Sequence, residues 1–119
     1  MVVVVVSKSL EFDAAHFLPG YSGKCSQMHG HRWKVEVACS GPIGTDGFVI
    51  DFTLLKSFLK VTEDRFDHKL INDIISNPTA ENIALDISKS FSKWVLSNNL
   101  EFDYVKVWET ADSCATIYA

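Results

Sequence analysis

"HGHRWKVEVACSGP", residues 29–42, decides the fold. Taken two by two, His29, His31, Trp33, Val35, Val37 and Cys39 share one face, and Arg32, Lys34 and Glu36 share the other. Side chains alternate across a strand with period two, so the stretch is predicted to be a β-strand with one apolar face, ending at Gly41-Pro42. Toward the N-terminus, five consecutive valines and the alternation of Leu10, Phe12 and Ala14 predict another strand over about residues 2–14.

Toward the C-terminus, "GTDGFVID" is turn chemistry and a short extended piece. Asp51 then stands where an N-cap would, ahead of Phe52, Leu55, Phe58 and Leu59, and a helix is expected over about residues 52–63. In "NPTAEN", Asn77 is placed as a cap and Pro78 at a first helical position. Ile83, Ile87, Phe91, Trp94 and Val95 follow at helical spacing, which gives a second helix over about residues 79–97. "FDYVKVWET" alternates again, and "CATIYA" closes the chain as a last strand. The order is ββααββ, an α+β fold with an antiparallel four-stranded sheet. With no repeat or linker, residues 1–119 are expected to form one domain.

Two helices cover only one face of such a sheet, which leaves the long valine strand with apolar surface and an unpaired edge. A homo-oligomer with sheets joined edge to edge is therefore expected. A composition of 47% hydrophobic and 22% charged residues excludes disorder, and a net charge of −4 without a basic run argues against nucleic acid as a partner. "MVVVVV" falls far short of the roughly 20 residues a membrane span needs, and it lacks a basic n-region and a cleavage site. The expected location is cytoplasmic, with no membrane partner. Three cysteines without a CxxC pairing are expected to be reduced, with Cys39 and Cys114 as small buried hydrophobes.

On a strand, His29 and His31 project side by side about 6–7 Å apart. His16 follows Phe12 and Ala14 at period two and stands at the end of the neighbouring strand. Three imidazoles from two strands suit Zn²⁺ and leave a fourth position. Cys25, four residues before His29, either closes that position in a structural site or stays free as a thiolate acting as base or nucleophile. His68 directly follows Asp67, and a histidine oriented by a carboxylate is a proton-transfer unit. Glu109 ends the third strand, where its carboxylate can accept two parallel hydrogen bonds from a guanidine-like edge such as that of guanine or pterin.

"FDAAH", "CSQMHGH", "GFVIDF", "FDHKLIND", "NPTAEN" and "VWET", in this order over nearly the whole chain, resemble the 6-pyruvoyltetrahydropterin synthase superfamily. The Cys-x₃-His-Gly-His spacing is most similar to its 6-carboxytetrahydropterin synthase branch, which serves synthesis of the 7-deazaguanine bases queuosine and archaeosine. The resemblance implies the T-fold, with ββααββ units joined into β-barrels of trimers stacked as hexamers. It implies zinc on His16, His29 and His31, a catalytic Cys25, and a catalytic Asp67–His68 pair contributed across a subunit interface. Glu109 would anchor the pterin, and Thr79 and Glu81 would line its pocket. The implied reaction converts 7,8-dihydroneopterin triphosphate to 6-carboxytetrahydropterin, acetaldehyde and triphosphate. A pyruvoyl-forming lyase shares every one of these residues, and a zinc-stabilised scaffold closed by Cys25 is the non-enzymatic alternative. A further branch has a glutamate near the cysteine position, and none lies between Cys25 and His31.

Overall fold

Alternation along the two long N-terminal segments is realised as a pair of antiparallel strands, β1 (Val4–His16) and β2 (His29–Gly41). Helices α1 (Phe52–Phe66) and α2 (Ala80–Ser97) follow, then β3 (Glu101–Thr110) and β4 (Ser113–Tyr118). The computed structural model describes residues 2–118. Ala119, at the end of the expected last strand, lies outside them. The sheet is antiparallel throughout, in the order β1-β2-β3-β4.

The helices pack on one face of this sheet. Phe12, Ala14, Trp33, Val35, Val37, Cys39, Val105 and Val107 meet Leu55, Leu59, Phe66, Ile83, Ile87, Phe91 and Val95 in one buried cluster. Burying each large apolar side chain contributes about 1.5–3 kcal/mol. Two of these contacts position the site. Trp33 is fully buried and its indole N–H donates to the Ala14 carbonyl at 3.2 Å, which ties the histidine-bearing end of β2 to β1. Phe66 stacks on Phe12 with centroids 5.8 Å apart and fixes the C-terminus of α1 against β1.

Several boundaries differ from the sequence expectation. β1 continues to His16, because its ladder with β2 persists to the pair His16↔His29. α1 continues to Phe66, since Thr62 and Phe66 add buried residues to its inner face. The N-cap of α2 is Thr79 and not Asn77: the Thr79 hydroxyl accepts the Asn82 N–H at 3.0 Å, and Pro78 lies before the helix. Phe52, counted with the inner stripe of α1, is exposed. Cys114 is exposed too, because Ala115 and Ile117 take the inward positions of β4 and Cys114 faces the other way. Cys39 is buried as expected, and burial, with Asp103 nearby, pushes its thiol up to about 11.

The expected apolar surface is present: Val2, Val3 and Val5 are all more than half exposed, at 76%, 56% and 53%. Among the described residues no helix is long and apolar enough to cross a membrane.

Candidate metal centre and active site

The β1–β2 register sets His16 opposite His29 and Ala14 opposite His31, so three imidazoles meet on the helix-facing side at one end of the sheet. Their ring centroids are 4.6, 5.3 and 4.8 Å apart. The outer nitrogens are held by carbonyls: His16 Nδ1 donates to Pro78 O at 2.8 Å, and His29 Nδ1 donates to Gln27 O at 2.7 Å. A carbonyl only accepts, so these contacts fix the protons on Nδ1 and turn both Nε2 lone pairs inward. The two Nε2 atoms stand 3.0 Å apart. Facing lone pairs at that separation call for a cation between them.

His31 completes the arrangement. Its Nε2 is buried without a well-aligned hydrogen bond, although Glu109 Oε1 lies 3.1 Å away. Burial, the largest influence, lowers the His31 pKa; the two neighbouring imidazoles act in the same direction, and Glu109 opposes them. That environment favours the neutral, ligating form. His16, His29, His31 and Glu109 each offer one donor atom, all within 4.8 Å of one another, and this group can hold a metal ion. Three imidazole nitrogens and a carboxylate oxygen are a donor set that Zn²⁺ accepts.

Cys25 sits in a short 3₁₀ turn, Lys24–Ser26, half-buried, with its carbonyl accepting the Leu18 N–H at 2.7 Å. It is not part of the four-residue donor group. Among the described residues it is Glu109, and not Cys25, that stands beside the histidines as a fourth donor.

The Asp67–His68 pair follows the end of α1. Asp67 Oδ1 accepts the Asp13 N–H at 3.0 Å, the His68 N–H donates back to the Asp13 carbonyl at 2.6 Å, and the Ala15 N–H takes the Lys69 carbonyl at 3.1 Å. The loop thus runs along the free edge of β1, ending in a parallel bridge between Ala15 and Leu70. His68 adopts φ 57°, a left-handed conformation uncommon for a non-glycine residue. Its Nδ1 lies 3.0 Å from Asp67 Oδ2, and its side chain is 79% exposed. The Asp13 N–H first, and then His68, hold the Asp67 carboxyl below the usual carboxylate range.

Three cavities adjoin the cluster. One of about 590 Å³ lies between His31 and His68; another of about 510 Å³ runs from His31 and Glu109 past Lys34 and Trp108. A third, of about 310 Å³, brings Glu109 together with Glu81, Cys114 and Thr116. Glu81 therefore faces the same space as Glu109. Thr79 does not line it, its hydroxyl being committed to the helix cap.

Sequence reasoning missed the partners that hold these groups: the Pro78 and Gln27 carbonyls, and Asp13 with Arg32. Arg32 bridges β1 by donating to Glu11 at 2.8 Å and to Asp13 at 2.9 Å. Pairing His16 with His29 fixes the rest of the antiparallel register, including Asp13↔Arg32, so that part was accessible. The Pro78 contact is tertiary and leaves no sequence signal, whereas the Gln27 contact is local, two residues from His29.

Residues 5–119 match the family described as 6-pyruvoyl tetrahydropterin synthase. The chain belongs to that family. Within it, the chain is 39% identical over 114 residues to an Archaeoglobus fulgidus protein provisionally named a 6-carboxy-5,6,7,8-tetrahydropterin synthase, covering 96% of this chain and 95% of that one. A Haemophilus influenzae protein named 6-carboxy-5,6,7,8-tetrahydropterin synthase is 33% identical, with 91% and 94% covered. A Pyrococcus furiosus protein named dihydroneopterin monophosphate aldolase is 37% identical, with 82% of each chain covered. The Caenorhabditis elegans 6-pyruvoyl tetrahydropterin synthase structure superposes with a TM-score of 0.87 over 100% of this chain and 97% of that one. At 23% identity that likeness shows the fold alone, which is the T-fold expected from the motifs.

Proposed function

We propose that this protein is a zinc-dependent 6-carboxy-5,6,7,8-tetrahydropterin synthase, taking 7,8-dihydroneopterin triphosphate and water to 6-carboxytetrahydropterin, acetaldehyde and triphosphate. The observation that carries the reading is the group of three histidines with inward-facing nitrogens, bordered by Glu109 and by two cavities, one of which reaches His68. The relatives named for this activity at 39% and 33% identity support it.

Zinc held by His16, His29 and His31 would supply a Lewis acid for the side-chain hydroxyls of the substrate. The remaining roles belong to the chain. Glu109 takes the amino-pyrimidinone edge of the ring through two parallel hydrogen bonds, Glu81 lines the same end of the pocket, and Thr79 holds Glu81 there by capping α2. Cys25, as a thiolate, and His68, oriented by Asp67, remove and return protons so that successive tautomerisations shift electron pairs from the side chain into the ring and triphosphate leaves. The exposed His68 suits a role in a neighbouring copy's site, in a homo-oligomer we take to be a hexamer formed as a dimer of trimers. The product feeds synthesis of 7-deazaguanine bases in the cytoplasm.

The Pyrococcus relative favours a second reading, aldol cleavage of a dihydroneopterin phosphate, and the pyruvoyl-forming reaction is a third. One anaerobic incubation of zinc-loaded protein with 7,8-dihydroneopterin triphosphate separates them. The proposal expects 6-carboxytetrahydropterin with acetaldehyde. A pyruvoyl product without acetaldehyde, glycolaldehyde with a hydroxymethyl pterin, or no conversion would each overturn it.

A further inference from the structure

We propose that Asn72 is a positioning residue for the active site: through one paired contact with the backbone of Phe17 it fixes the segment that leads from His16 toward Cys25 and ties that segment to the loop carrying His68.

The side-chain carbonyl of Asn72 accepts the Phe17 N–H at 3.0 Å, and its NH₂ donates to the Phe17 carbonyl at 2.8 Å, across 55 positions of sequence. A primary amide holds an acceptor and a donor in one plane, so it can meet both backbone groups of a single residue as the peptide of a neighbouring strand does. Aspartate at this place would lose the donor, and alanine would lose both.

Along the free edge of β1, the Asp13 backbone meets Asp67 Oδ1 and the His68 N–H, and the Ala15 N–H meets the Lys69 carbonyl. Asn72 makes the next step of this series, at Phe17, from a 3₁₀ turn over Ile71–Asp73 whose Ile71 is fully buried. The loop carrying His68 is thus fastened by a side chain at either end, Asp67 and Asn72, and its second anchor stands one residue beyond His16.

From Phe17 the connection reaches the cysteine. No helix or strand spans residues 17–23, and within that segment the Leu18 N–H donates to the Cys25 carbonyl at 2.7 Å. The dipeptide Phe17-Leu18 therefore joins three groups of the proposed reaction: His16 through the chain, Cys25 through the Leu18 N–H, and the His68 loop through Asn72. Releasing it moves Cys25 relative to His16, and a misplacement of about 1 Å costs on the order of 10²-fold in rate. Docking of the ring at Glu109, on β3, is left alone, so the loss falls on kcat.

Asn72→Ala and Asn72→Asp test this in zinc-loaded protein, with Asn98→Ala as control. Asn98 donates to the Trp94 carbonyl at 2.8 Å at the far end of α2, so its removal costs a similar bond away from the site. The first readout needs no substrate: the rate at which iodoacetamide labels Cys25 in native protein, separated from Cys39 and Cys114 by peptide mass. Asn72→Ala should label at Cys25 about tenfold faster, the shift in a local equilibrium expected from one lost hydrogen bond. Asn72→Asp should fall between it and wild type, and Asn98→Ala should match wild type. The second readout rests on the function proposed above: in triphosphate release, Asn72→Ala should lose about 10²-fold in kcat with KM unchanged. Unchanged Cys25 labelling in folded Asn72→Ala would overturn the proposal. An equal change in Asn98→Ala would overturn it too, by assigning the effect to lost stability, and so would faster labelling with wild-type kcat. Wild type that converts no substrate would sink the reaction reading, while the labelling comparison still decides whether Asn72 places Cys25. Should Asn72→Ala not fold, Asn72→Asp, which keeps the bond from the Phe17 N–H, decides by the same comparisons.

Discussion

Asp67→Asn isolates the proton-transfer pair from the fold that holds it. The asparagine carbonyl keeps the bond from the Asp13 N–H, now 3.0 Å long, and the loop remains fastened by His68 N–H to Asp13 O and by Ala15 N–H to Lys69 O. What changes is the atom facing His68 Nδ1, at 3.0 Å from Asp67 Oδ2. An amide nitrogen donates where the carboxylate accepted, so Nδ1 must accept in turn and the imidazole proton moves to Nε2. The ring then presents a protonated Nε2, the wrong tautomer, to substrate without losing its place. Positioned general acids and bases contribute about 10²–10⁴-fold to rate, so kcat should fall within that range while the melting temperature at neutral pH stays close to wild type. Triphosphate release under saturating substrate reads the rate, and circular dichroism reads the melt. A loss of less than about tenfold would refute the reasoning. The acid limb of stability gives a second check. The carboxyl of Asp67 lies below its ordinary value of 3.8 in the folded chain, so its stabilisation is present above that value and is lost as pH falls through the folded pKa. Asp67→Asn should flatten that part of the acid-unfolding curve.

Further outcomes follow from the same geometry. Chelation should lower the melting temperature, because zinc at a hundredfold its Kd adds about 2.7 kcal/mol, or about 10 °C for a domain of this size; differential scanning calorimetry with and without EDTA measures it. Thr79→Ala removes the cap of α2 and should cost about 1 kcal/mol in urea unfolding. The same variant should weaken zinc binding, because the adjacent Pro78 carbonyl orients His16. A thiol reagent should label the exposed Cys114 in native protein and reach Cys39 only after unfolding, as burial and a thiol pKa pushed up to about 11 require. Arg32→Ala, which removes exposed ion pairs to Glu11 and Asp13, should change urea stability by less than about 1 kcal/mol.

Element order, helix placement and the three histidines were legible because each depends on periodicity. Val35 and Val37 point inward for the same reason that His29 and His31 share a side. Legibility failed where tertiary contact decided the outcome. Thr79, and not Asn77, caps α2 because its hydroxyl accepts the Asn82 N–H, and the Pro78 carbonyl just before it meets His16, 62 residues distant in sequence. Cys114 alternates with inward residues on a last strand too short for its phase to be read without knowing what it pairs with. Glu109 was recognisable as a carboxylate out of place at a strand end, but its approach to His31 depends on the irregular ladder between Trp108 and Thr110, which leaves no pattern in "VWET". The Asp67–His68 pair was visible as a dipeptide, whereas its support by the Asp13 backbone required the edge of β1 to be placed.

The central claim is that the histidines hold the metal while Cys25 remains free to act. Metal content and turnover of Cys25→Ala, measured on one preparation, test it most directly. The account predicts zinc retained at the wild-type ratio, a folded protein, and turnover reduced by orders of magnitude. Loss of zinc together with unfolding would contradict it and establish a structural site closed by the cysteine.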